Sequence, residues 1–431
     1  MRKITFLALW ALMSAFLVFP VMAQEEESAS DEGTTVESIG EKISGMEETM
    51  SLLQNDVLGL KKIKLSGYFQ FEWLKTEDGS KGLGLDAYDS TAKSILSQFR
   101  LRRGRVKLVY AGDIAQFTIQ GDFTNAGFAL KDLYMDISEP WLYYFSIRAG
   151  LFNRPNYEVE YSSSQRESME RSAVIRALYP NERDLGAMIT VNPEEMFVLQ
   201  LAAFNNTTTG PISQRIPNFR DEPVYYMARL TKSFSLPDEG IGIDIGAHAR
   251  IGNIVSNSEY VIESEQNKVD SANKIKKGDK ISKTWFGGEL QFYWDILGGM
   301  KIIGEYIQGS TTDDMKLVAK AATAPAVRKR DFMGYYIMLV KSITEDFQIA
   351  VKYDSYDPNT AIDDKDITST SDLTRSTLGF GLHNYSIPNV RLSIWYDMIM
   401  TQTSDNIVKN LKLLENDPSD NLLTVRFQYK F

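Results

Sequence analysis

The sequence contains no cysteine and only two histidines, His248 and His383, among its 431 residues. Disulfides, thiolate metal sites and a lipid-modified cysteine are thereby excluded, and little remains for histidine-based catalysis or zinc. Beyond residue 21 the chain also lacks any run approaching the roughly 18 uninterrupted apolar residues of a membrane helix. A chain of this composition that sits in a membrane must do so as a closed barrel. Positive charge is in short supply too. Lysine and arginine number 47 against 57 acids, a formal charge of -10, which argues against nucleic acid as a partner.

What is present starts with Met1, Arg2 and Lys3, an apolar stretch from Ile4 to Val21, and a small residue at Ala23. This is the outline of a secretory signal peptide over residues 1–23, cleaved before Gln24. Residues 24–35 are acidic, polar and too poor in apolar side chains to fold, so a disordered lead is expected. The period then changes. Val36, Ile43, Met50 and Val57 take heptad position a, and Ile39, Met46, Leu53 and Leu60 take position d. Thr34 and Glu37 offer a capping box at the start of this helix. It reads either as an amphipathic helix packed on the body or as a short α-helical coiled coil over 36–61 that joins chains. The narrow stripe favours the coiled coil without choosing between dimer and trimer.

From Lys64 the period is two. Leu65, Phe69, Phe71 and Trp73 alternate with Ser66, Tyr68, Gln70 and Glu72, and the last strand sets Leu423, Val425, Phe427 and Tyr429 against Thr424, Arg426, Gln428 and Lys430. One apolar and one polar face, repeated in about sixteen strands, demand either a sandwich core or a lipid exterior. The connections decide between these. Short turns such as Ala111 to Asp113 and Ile296 to Gly298 alternate with long loops such as Leu74 to Ser97 and Gly252 to Lys283. This is the signature of the inner and outer ends of an outer-membrane barrel, and Trp73, Trp141, Tyr143, Tyr144, Trp294 and Tyr396 near strand ends suit its aromatic girdles. The expectation is an all-β, 16-stranded transmembrane antiparallel barrel over 64–431, surrounded by lipid.

Parity places Arg100, Arg102, Arg105, Lys107 and Arg148 among the inward-facing cations, with Glu72, Asp122, Asp132, Asp136, Glu289 and Glu305 among the inward acids. Apolar parity switches inside the basic run Phe99 to Lys107, so a bulge is expected near Arg103 and Gly104. The run reads either as a charge-balanced wall or as an anion-attracting one. The longest unexplained stretch is Phe152 to Asp184, which shows no alternation and carries Arg154, Arg166, Arg171, Arg176 and Arg183 together with Glu158, Glu160, Glu167 and Glu170. A segment this long inside a compact array needs a task, and folding into the barrel mouth as a constriction supplies one. Its arginines either trap anions or are consumed by salt bridges to acids such as Glu170 and Asp184.

Phe152, Asn153, Arg154, Pro155 and Glu158, then Met169, Glu170, Arg171 and Ser172, then Pro180, Arg183, Asp184 and Gly186, resemble the third-loop region of the phosphate-selective porin O and P family. Leu130 to Tyr134 and Ala203 to Asn206 are similar to the same family, although Asn156 and Tyr157 stand where it more often has an aromatic and a glycine. The resemblance implies a trimeric outer-membrane porin passing small anions such as phosphate or polyphosphate. Loop and wall arginines, here Arg100, Arg102, Arg105, Arg148, Arg154, Arg166, Arg171 and Arg183, would relay the anions, and terminal Phe431 would be read by the barrel-assembly machinery. No cofactor is implied. An outer-membrane enzyme is the rival from another class, but His248 has Asp244 near it in sequence and no serine motif after it. A structural or adhesive barrel and a general, non-selective porin are the remaining alternatives.

Overall fold

In the computed structural model the described residues are 61–77, 97–194, 196–205, 224–255, 260–263, 269–276, 278–312, 326–362, 367, 372–404 and 420–431. The signal peptide, the acidic lead and the heptad segment, except its last residue, lie outside them.

The strands are β1 (Ile63–Thr76), β2 (Ser97–Ala111), β3 (Ala115–Thr124), β4 (Gly127–Ser138), β5 (Phe145–Asn153), β6 (Arg183–Val191), β7 (Val198–Phe204), β8 (Tyr225–Leu236) and β9 (Ile241–Val255). They continue as β10 (Tyr260–Glu263), β11 (Val269–Ile275), β12 (Lys280–Trp294), β13 (Met300–Thr312), β14 (Ala326–Ser342), β15 (Phe347–Asp357), β16 (Arg375–Asn384), β17 (Val390–Thr401) and β18 (Leu422–Lys430). Setting aside the small β10–β11 hairpin, they form a closed 16-strand antiparallel barrel. β1 closes it, pairing β2 on one side and β18 on the other, from Tyr68 opposite Lys430 to Thr76 opposite Leu422. Closure leaves no unpaired edge for another chain to extend.

Burial runs inside out relative to a soluble protein. In β1 the side chains of Gln70 and Glu72 are fully buried while Phe71 between them is 39% exposed. Around the barrel the exposed set is Phe117, Ile119, Met135, Ile147, Ile189, Leu290, Leu339, Ile394 and their like, whereas the buried set is rich in arginine, glutamate and glutamine. An apolar exterior of this extent on a closed barrel belongs in a membrane.

Two details depart from the sequence reading. Gln70 pairs Arg103 but Phe71 pairs Leu101, so the bulge in β2 falls at Arg102, slightly earlier than expected, and Arg103 turns inward beside it. The outer connection over 252–283 is partly folded: β9 and β12 run further out, and β10 lies parallel to β14 through Val261 and Ala326. This stretch is polar, and strand segments beyond the apolar belt have no need of the alternation that reveals membrane strands.

Candidate constriction site

The segment between β5 and β6 turns into the barrel. Asn156 starts a one-turn helix, α1 (Tyr157–Glu160), its Oδ1 accepting from the Val159 amide at 3.1 Å. A second, α2 (Ala173–Leu178), follows Ser172. The carboxylate of Glu158 accepts from the Ser172 amide at 2.9 and 3.0 Å and from its hydroxyl at 2.5 Å, tying the two helices together. Asn156 thereby satisfies an orphan amide of α1, whereas Ser172 makes no side-chain cap and commits its hydroxyl to Glu158.

One face of the loop is apolar. Val159, Val174, Ile175, Leu178 and Tyr179 pack against Phe204, Tyr225, Met227, Trp285, Ile307 and Phe332 on the inner face of β7 to β14, all buried. Val174 and Ile175 are completely inaccessible, and each such side chain stabilises the seat by about 1.5–3 kcal/mol. The indole N–H of Trp285 donates to the Tyr179 hydroxyl at 3.0 Å. Met169 packs separately against Ile303, Tyr336, Met338 and Trp395. An apolar inner face is not what strict alternation predicts. The run Phe332 to Val340 in β14, apolar on both faces, was the available signal.

The loop tip crosses to the opposite wall and is held by polar groups. Ser163 Oγ lies 2.5 Å from the Tyr68 hydroxyl and accepts from Arg103 at 3.0 Å. The side-chain amides of Gln70 and Gln428 donate to the carbonyls of Ser163 and Ser164, each at 3.0 Å.

Four of the loop glutamates pair with wall cations. Glu158 meets Lys352 at 3.2 Å, Glu160 meets Arg229 at 2.7 Å, and Glu167 meets Lys301 at 2.5 Å. Glu170 meets Arg102 at 2.8 Å and Arg100 at 3.5 Å. Burial raises the proton affinity of the Glu170 carboxyl, but Arg102, Arg426, Arg166 and Arg100 outweigh it and hold the group well below the usual carboxylate range. For Glu158 burial acts the same way and is outweighed by Lys352, Arg166 and the Ser172 hydrogen bonds, so its carboxyl too is held low.

The structure therefore separates the arginines singled out in the sequence. Arg105, Arg148, Arg171 and Arg183 line one polar cavity of about 520 Å³ between the loop and β1 to β5, together with Lys107, Lys430, Asp132, Glu160 and the serines Ser162 to Ser164. Arg105 pairs Asp122 at 2.7 Å, and Arg148 pairs Asp136 at 2.7 Å while lying 4.2 Å over the Tyr134 ring. Arg171 pairs Glu182, not the adjacent Glu170, and Arg183 pairs Asp132 at 2.5 Å and Glu182 at 2.7 Å, not Asp184. Asp184 is taken by Arg154, which is buried at 3% exposure. Arg166, 2% exposed, donates to the carbonyls of Ser168 and Met169 at 3.3 and 3.2 Å. Arg102 sits on Glu170 and Arg100 chiefly on Glu72, at 2.6 Å, both outside the cavity lining.

Sequence parity missed Arg103, which faces the loop tip only because of the bulge. Lys107 and Lys430 enter the cavity without a carboxylate partner among the described residues. Charge at the cavity is thus carried by six lining cations against two lining acids, Asp132 and Glu160, with Asp122, Asp136 and Glu182 compensating from behind. An ion-paired guanidinium keeps further N–H donors that a second acceptor can meet.

No protein-family model matches the chain, and no curated protein is similar to it in sequence. Among solved structures it is similar to the outer membrane channel DcaP of Acinetobacter baumannii, with 11% identity, a TM-score of 0.57, and 86% of this chain and 97% of that one covered. It is also similar to OprB of Pseudomonas putida, with 8% identity, a TM-score of 0.53, and 88% and 96% covered. The anion-selective porin from Comamonas acidovorans shares 10% identity and a TM-score of 0.52 over 86% and 99% of the two chains. What these proteins share with this chain is the fold: it is a β-barrel of the outer-membrane porin type.

Proposed function

We propose that the protein is a porin of the bacterial outer membrane whose aqueous passage runs between the inward loop and β1 to β5 and favours small anions, phosphate or polyphosphate among them. The observation that carries this reading is the cavity there, with Lys107 and Lys430 uncompensated and Arg105, Arg148, Arg171 and Arg183 in its lining. Cations in a narrow, low-dielectric passage attract anions, and arginine grips phosphate or carboxylate through paired N–H donors. Kinship with the phosphate-selective porins, a homotrimer and recognition of Phe431 by the assembly machinery belong to the same proposal. A second reading, a channel with no charge preference, is favoured by the pairing of most lining arginines with carboxylates. Planar-bilayer recording in a salt gradient separates them. A reversal potential on the anion side, with chloride current reduced by added phosphate, supports the proposal. A cation-side or null potential refutes it.

A further inference from the structure

His248, Glu289 and Glu305 meet on the inner face of β9, β12 and β13, beneath α1, and their ligand atoms all lie within 4.8 Å of one another. Each is buried, at 3, 6 and 3% exposure. The register explains the cluster. Glu289 stands directly opposite Glu305 across β12 and β13, and Gly287 stands opposite His248 across β12 and β9. Glycines make the room: a Cβ on Gly246 would lie 2.7 Å from the Glu289 side chain, and one on Gly287 would lie 2.7 Å from the His248 ring.

The local charge closes only if a carboxyl takes up a proton or a further cation joins the cluster. Two carboxylates directly opposite in a sheet repel each other, and a buried carboxylate with no counter-charge is strongly disfavoured. The neighbouring guanidinium, Arg229, is already divided between Glu160 at 2.7 Å and Glu289 at 2.6 Å. Glu305 is left without a guanidinium partner. Glu305 accepts from the Asn156 amide, and its Oε2 has no partner. Neither ring nitrogen of His248 has a hydrogen-bond partner, although the ring is buried. Its Nε2 lies 3.7 Å from Glu305 Oε1. That is too long for a hydrogen bond and close to the separation of about 3.3 Å between two ligands of one tetrahedral zinc ion.

We propose that His248, Glu289 and Glu305 form a binding site for a divalent first-row transition ion of the zinc class. Imidazole and carboxylate without thiolate is a donor set that suits zinc, nickel or cobalt over calcium or magnesium. The Glu289 oxygens keep a second lone pair each beyond their bonds to Arg229. The ion would balance the excess carboxylate charge and, through Glu305 and Asn156, fasten the start of α1 to three strands of the wall.

The test uses the full-length folded barrel in detergent, stripped with chelator and titrated with Zn²⁺ by calorimetry and with Co²⁺ by its visible absorption. One saturable site per chain is expected, with an upward shift in the thermal unfolding midpoint. His248→Gln and Glu305→Gln should each weaken binding by at least about tenfold, and His383→Gln should leave it unchanged. Folding of each variant is checked by heat-modifiable electrophoretic migration. Glu305→Gln keeps the shape of the side chain and carries the test if His248→Gln does not fold. No saturable binding to the wild-type barrel overturns the proposal, as does binding of undiminished affinity in folded Glu305→Gln. None of these readouts depends on ion conduction, so failure here and failure of the porin reading are separate results.

Discussion

On the inner face of β7 to β14 the loop rests on Phe204, Tyr225, Met227, Trp285, Ile307 and Phe332. On β1 and β2 the same loop meets Tyr68, Gln70 and Arg103 through serine hydroxyls and carbonyls. The first contact resembles a protein core and fixes position. The second leaves a polar cavity of about 520 Å³ with its charged lining intact. A constriction loop made only of charged contacts would have to hold its place and shape its field with the same residues. Here the apolar arc provides the anchor, so the basic arc is not needed for it. The four glutamate-to-wall ion pairs lie between these extremes. Buried pairs contribute little net stability when formed, yet breaking one by removing a partner is costly.

The contrast is broken most severely by Val174→Asp, which puts an unpaired carboxylate into the apolar seat opposite Gly334, whose own Cβ position lies 2.5 Å from Val174. Leaving such a charge buried costs about 3–5 kcal/mol, more than one side chain's share of the seat. The loop should release while the barrel stays closed. Single-channel conductance should rise markedly with heat-modifiable migration retained; unchanged conductance would show that the seat is not what holds the loop.

A smaller effect is expected from reversing the uncompensated cations, Lys107→Glu with Lys430→Glu. Both side chains are solvent-accessible, so stability should barely change. A single unit charge in contact with a passing ion in water-like surroundings is worth about 1 kcal/mol, and reversal acts with opposite sign on anions and cations, so the anion-to-cation permeability ratio should fall by at least about fivefold. The same reversal at Lys232, an outward-reaching lysine on β8 near Phe234, should do nothing to the ratio.

Acid should produce the smallest effect and only late. The Glu170 and Glu158 carboxyls are held below their ordinary values, so their ion pairs contribute stability above the usual carboxylate range and lose it as pH falls through the depressed values. Loop protection from protease should therefore show no change due to these two pairs from neutrality down to about pH 4, and change only below it. A transition near pH 6 would mean that these pairs do not set the loop's position.

Much of the fold was legible in residue order. Alternation in β1, β3, β12 and β18 named the inward and outward faces, because a membrane barrel must keep apolar groups outside along every strand. The β10–β11 hairpin was not legible, since it lies in a polar stretch that no lipid contact constrains. Within the site, the sequence brought Arg105, Arg148, Arg171 and Arg183 forward, and the cavity contains them. It could not separate them from Arg154 and Arg166, because a buried scaffold arginine and a lumen arginine look alike until their acceptors, Asp184 and the Ser168 and Met169 carbonyls, are placed. Neighbours in sequence misled about partners: Arg171 reaches across the loop to Glu182, while Glu170 beside it turns the other way to Arg102. Arg103 required the bulge position to within one residue. The His248, Glu289 and Glu305 cluster required strand register across three strands, which alternation does not supply.

The chain's lack of cysteine allows the central claim, that solute passes on the β1 to β5 side of the loop, to be tested by single introduced thiols. Gln165→Cys lies in the cavity lining and Val174→Cys lies in the apolar seat. A negatively charged methanethiosulfonate reagent added during bilayer recording should react quickly at Gln165→Cys and reduce the current, and should leave Val174→Cys untouched. Rapid block at Val174→Cys with none at Gln165→Cys would place the passage on the opposite side and contradict the account.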